Sequence, residues 1–134
     1  MAIIIKSAAE IAAMRRAGMV VASILKTLSK KIRAGMTTAQ LDDIAVRELT
    51  RYGATPSFKG YRGFPAALCV SINNEVVHGI PGDRVIQEGD LVSLDFGAIV
   101  DGFHGDAAVT VGRGGYSENL SRRGIHEELA QKLV

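Results

Sequence analysis

From Leu91 to Val111 the chain reads LVSLDFGAIVDGFHGDAAVTV, two apolar stretches on either side of an Asp-Gly pair. Asp-Gly between such stretches is a strong hairpin signal, because a type I′ turn needs positive φ at both central residues and matches the twist of the flanking strands. With Asp101 and Gly102 at the centre, Val100 faces Phe103 and Gly97 faces Asp106. Asp95 lies two residues from Gly97, so the period-two alternation of strand side chains puts Asp95 and Asp106 on one face as diagonal neighbours, with Cβ atoms about 7 Å apart or less. A turn slipped by one residue sets them directly opposite instead.

Two adjacent carboxylates on otherwise apolar strands have two explanations. Either both face water on the uncovered side of an antiparallel sheet, or they point inward, where mutual repulsion calls for a shared proton or a counter-cation. A divalent metal is one such cation, and paired carboxylates bridge the ions of two-metal hydrolytic sites. Asp101 and Asp90 need no such role, since Asp-Gly and Gly-Asp are turn dipeptides.

Ahead of the hairpin the period is helical. Ser7 and Glu10 have capping-box spacing, and Ile11, Met14, Val21, Leu25, Leu28 and Ile32 follow at helical intervals, ending near Lys30, Lys31, Arg33 and Gly35. Thr37 with Gln40 opens a second helix carrying Leu41, Ile44, Ala45 and Leu49, and Gly53 with Pro56 stops it. The pattern then turns strand-like in AALCVSI, EVVHGI, DLVSLDFGAIV and DAAVTV. Two helices packed on an antiparallel sheet, an α+β domain, is the simplest arrangement.

A chain of 134 residues with 47% hydrophobic and 22% charged residues has the balance of one soluble globular domain. Its 16 basic and 14 acidic residues, dispersed along the chain, give no field suited to a nucleic acid or a membrane surface. The single cysteine, Cys69, forms no internal disulfide, and the apolar run before Lys6 is too short for a signal peptide, so a cytoplasmic location is expected. Residues 112–134 differ in character: Gly112, Gly114 and Gly115 form a joint leading to a polar segment with Leu120, Ile125, Leu129 and Leu133, expected to be a helical tail beyond a 1–111 domain.

Read together, NNEVVHGIPGD, the hairpin itself and GYRGFPAALCVSIN resemble, in order and spacing, the N-terminal half of a type I methionine aminopeptidase, from the first helix to about Val111. The resemblance implies one half of a pita-bread fold, with a dinuclear divalent-metal site of Co, Mn, Fe or Zn type between two pseudo-symmetric halves, and a peptide with N-terminal Met as substrate. By position, Asp95 resembles the bidentate ligand of one ion, Asp106 the carboxylate bridging both, and His78 the catalytic histidine that hydrogen-bonds the scissile peptide. Tyr61, Phe64 and Cys69 resemble the pocket for the methionine side chain; without the resemblance all three read as core residues. His104 shares the face of Asp106 and is assigned no ligand role.

In the intact family a histidine and two glutamates from the second half complete the site. His126, Glu127 and Glu128 are no substitute, because successive helical residues are splayed by about 100° each, and HEEL is not the HExxH zinc motif. The resemblance therefore implies weak or absent metal binding, little or no hydrolysis by this chain alone, and a missing complementary half or a homodimer to cover the exposed face. The competing expectation is a non-catalytic half-fold scaffold or binding module.

Overall fold

In a computed structural model residues 2–112 are described, and the elements follow the periodicity closely. Helix α1 spans Ala8–Lys31, and the Oγ of Ser7 accepts from the amide of Glu10 at 3.2 Å. Lys30 and Lys31 occupy the last turn, where cations suit the helix dipole. Helix α2 spans Thr38–Arg51 under a full capping box: the Gln40 amide donates to Thr37 Oγ1, and the Thr37 amide donates to Gln40 Oε1. Gly53, at φ 64°, turns the chain out of α2, a left-handed conformation that glycine adopts without penalty.

Four strands follow: β1 (Thr55–Pro56), β2 (Leu68–Ile72), β3 (Leu91–Val100) and β4 (Phe103–Gly112), with one 3₁₀ turn at Tyr61–Gly63. All pairings are antiparallel. β4 runs along one edge of β3, and β2 and β1 lie end to end along the other, pairing with Val92 to Phe96 and with Ala98 and Ile99. The hairpin has the register set by Asp-Gly: Val100 opposes Phe103, Gly97 opposes Asp106, and Asp101 and Gly102 have φ of 51° and 79°.

Both helices cover one face of this sheet. Val92, Leu94, Phe96 and Ala98, alternate residues of β3, are fully buried in one cluster with Val21, Leu25 and Leu28 of α1 and Leu41 and Leu49 of α2. Burying each large side chain contributes about 1.5–3 kcal/mol, so this face holds most of the folding energy.

Two sequence expectations need correction. Ile11 and Met14 are not core residues; they are 48% and 40% exposed, and Ala13 and Ala17 are buried instead. The reason is a close approach of α1 to β4, where a Cβ on Gly105 would lie 2.7 Å from the backbone carbonyl of Ala17. Only small residues fit at that contact. EVVHGI, in turn, forms no strand. It loops back along β2, with the Val70 amide donating to the Gly79 carbonyl at 2.9 Å, and leaves Val76 and Val77 exposed. Gly79 is required there, since a Cβ would meet the Val70 carbonyl oxygen at an impossible 1.9 Å. The expected tail, with His126, Glu127 and Glu128, lies outside the described residues. Among the described residues no helix is long and apolar enough to cross a membrane.

Candidate metal centre and cleft

The sheet face opposite the helices carries the polar residues. Asp95 pairs directly with Cys69 of β2 and with Ala108 of β4, so Asp95 and Cys69 share a face, and Asp106 stands diagonally beside them across Gly97. The segments before and after β2 fold over this face. Together they enclose a cleft of about 540 Å³, floored by Asp95, Asp106 and Cys69 and walled by Tyr61, Phe64 and His78. All six residues singled out in the sequence therefore line one cleft, a volume suited to a small molecule or a peptide end.

Local devices hold Cys69, His78 and Phe64 in place. Asp42, on α2, accepts at one Oδ1 from the amides of both Ala67 and Leu68 at 2.9 Å, fixing the start of β2 immediately before Cys69. Burial pushes the Asp42 carboxyl above its ordinary value, and those two amides draw it part of the way back. His78 takes a left-handed conformation, φ 61°, at the point where the loop turns back beside Ser71, whose Oγ accepts from the Gly79 amide at 3.1 Å. Phe58 and Phe64 meet edge to face at a centroid separation of 6.5 Å.

The electrostatics follow from the pairing of acids. Burial, then the charge of Asp106 and a hydrogen bond shared with it, hold the Asp95 carboxyl above the usual carboxylate range, and His78 opposes the shift. Burial and the same two aspartates, with Asp42, push the Cys69 thiol up to about 11. At neutral pH that thiol is neutral and offers a soft contact surface.

A divalent cation fits part of this arrangement. Two adjacent carboxylates with insufficient counter-charge are a suitable pair of hard oxygen donors. Among the described residues, however, no group of three or more His, Cys, Asp or Glu side chains is arranged to hold an ion. The site so described supplies two donors and leaves the remaining coordination positions to other groups.

Five lining residues were not singled out in the sequence: Phe58, Arg62, Gly63, Pro65 and Ile80. Phe58 and Ile80 carry no signal beyond hydrophobicity, whereas Arg62, between Tyr61 and Gly63 in the GYRGF motif, is a charged residue flanked by an aromatic ring and a glycine. His104 lies on the face of Asp106, as its spacing requires, and its Nδ1 is 2.9 Å from Ser57 Oγ. Ser57 reaches it across Gly97, where a Cβ would come within 2.9 Å of the serine's own.

The chain is 50% identical over 120 residues to a methionine aminopeptidase of Clostridium perfringens, a match covering 90% of this chain and 48% of that protein. It is 49% identical over 117 residues to methionine aminopeptidase 1 of Bacillus subtilis, covering 87% and 47%. The crystal structure of a methionine aminopeptidase from Thermotoga maritima superposes with a TM-score of 0.82 at 43% identity, covering 84% of this chain and 46% of that one. The chain thus spans about half the length of the curated relatives it matches, and its α+β architecture is that of one half of a pita-bread fold. A family model for the metallopeptidases of family M24 matches residues 12–131, a span that takes in both aspartates, the hairpin that carries them and the helices behind it, and the chain belongs to that family.

Proposed function

We propose that this chain is the N-terminal half of a metal-dependent methionine aminopeptidase, contributing two metal ligands and the side-chain pocket to removal of N-terminal Met from peptides. The observation that carries the proposal is the meeting of Asp95 and Asp106 at the floor of a cleft walled by aromatic residues. In this reading Asp95 and Asp106 would hold the divalent metal through their carboxylates. The bound metal would supply Lewis-acid polarisation of the scissile carbonyl. His78 directs a donor at the peptide where negative charge develops during attack. Tyr61, Phe64 and Cys69 receive the methionine side chain, a flexible thioether that favours aromatic and soft neutral contacts.

Two carboxylate donors alone hold an ion weakly, so the described residues by themselves support little or no turnover, and a complementary half or second copy is the expected partner. A cytoplasmic location accords with the neutral, unpaired Cys69. The domain proper is taken to end near Val111. A non-catalytic half-fold scaffold or homodimeric binding module is the second reading, favoured by the exposed Val76 and Val77, at 87% and 60%.

Mn2+ titration followed by thermal unfolding, with Met-Ala-Ser hydrolysis and solution mass measured in parallel, tests the proposal. A ligand at tenfold its Kd stabilises by about 1.4 kcal/mol, and that gain should vanish in both Asp95→Asn and Asp106→Asn. Stabilisation that survives both substitutions refutes the metal assignment. A metal-independent dimer with no turnover selects the second reading.

A further inference from the structure

The cleft has opposite charges on its floor and its wall. Asp95 and Asp106 lie at the floor, and Arg62 is the one arginine or lysine among the described residues lining the cleft. Three of the six other arginines among the described residues are held by carboxylates, Arg16 by Asp101, Arg51 by Glu48 and Arg84 by Glu75, and Arg33 donates to backbone carbonyls. Arg62 has no carboxylate partner among the described residues. Its guanidinium lies over the Tyr61 ring, 5.3 Å from the centroid.

The backbone is bent to put it there. Arg62 adopts φ 49° and ψ 34°, left-handed for a residue with a side chain, between Gly60 at φ 85° and Gly63 at φ 78°. Such a conformation is disfavoured for an ordinary residue and persists when its surroundings impose it. Stacking on Tyr61 restricts the guanidinium before anything binds, which lowers the entropic cost of binding, and the planar fork of donors matches a carboxylate.

We propose that Arg62 is a specificity-determining residue that recognises a carboxylate a short distance downstream of a peptide's free N-terminal ammonium. The proposal rests on the peptide-binding role proposed above for the cleft. With the peptide's N-terminus at the floor and its next residues along the wall, a carboxylate on those residues meets Arg62, so the favoured ligands are short peptides with either an acidic side chain at the second or third residue or a free C-terminal carboxylate.

NMR chemical-shift titrations distinguish these sources. The probes are Met-Ala-Ala-amide as the neutral reference, Met-Asp-Ala-amide and Met-Ala-Asp-amide for the side-chain source, and Met-Ala with a free carboxylate for the terminal one. At least one carboxylate probe should bind about threefold to fivefold tighter than the neutral amide at low salt, the range of an exposed charge pair. High salt should shrink the gain. Arg62→Gln should abolish the difference between the carboxylate probes and the neutral amide, and Arg62→Lys should retain only part of it. Equal affinity for all four probes, or a gain that survives Arg62→Gln, overturns the role of Arg62 and leaves the cleft's function standing. Failure of the neutral amide and every other probe to bind overturns the cleft reading itself, and this inference with it.

Discussion

Val92, Leu94, Phe96 and Ala98 alternate along β3 with Ser93, Asp95, Gly97 and Ile99, and the two sets face different surroundings. The first set is fully buried against the helices. The second lies on the opposite face, where Asp95 meets a cleft containing a second acid, a thiol and a histidine. One residue's step along a strand thus separates the groups that hold the fold from those positioned for chemistry. The difference teaches that the acids depend on the helix face for their placement, while the helix face gains nothing from the acids, whose mutual repulsion opposes folding when no cation is present.

The largest expected effect tests the helix face. Phe96→Ala removes a fully buried ring and should cost about 3–5 kcal/mol in denaturant unfolding. Its neighbour Asp95, replaced by Asn, should cost far less or stabilise. Equal losses at the two positions would break the division between faces.

A smaller effect is expected where α1 meets β4. Gly105→Val places side-chain atoms within 2.7 Å of the Ala17 backbone, so the helix must move, and overpacking of this kind costs about 1–3 kcal/mol. Gly102→Ala, which meets nothing within 4 Å, isolates the backbone contribution because its φ of 79° alone is at issue. If Gly105→Val proves neutral, the close approach does not constrain the fold.

The smallest effect concerns the acids themselves. Asp95 has a carboxyl raised by burial and by Asp106, so between the ordinary value of 3.8 and its raised value the native state binds more protons than the unfolded one. Stability of the metal-free protein should therefore fall as pH rises through that window, and the component due to Asp95 should disappear in Asp95→Asn. The same substitution should lower the Cys69 titration from about 11, because Asp95 is one of the charges that raise it. The rate of thiol alkylation against pH measures this directly. An unchanged profile would mean that burial alone sets the thiol.

The hairpin was legible because its determinants are local. Asp101 and Gly102 fix the turn, the turn fixes the register, and the register puts Asp95 and Asp106 on one face whatever the rest of the chain does. The helix starts were equally local, since Ser7 and Thr37 satisfy amides three residues away. Even the assembly of Tyr61, Phe64, Cys69 and His78 around the acids was anticipated only through resemblance; nothing in their spacing places them together.

What the sequence determined by itself was therefore the helices, the hairpin, and the adjacency of two carboxylates. Tertiary structure alone decided which face the helices would cover, that Ala13 and Ala17 rather than Ile11 and Met14 would be buried, and that EVVHGI would lie along β2 instead of forming a strand. It also decided that Arg62 would stand on the wall above the acids. The physical reason is range. Capping and turn geometry are settled within about four residues, whereas burial depends on which distant surface arrives, as when Gly105 admits the backbone of Ala17 and Gly79 admits that of Val70.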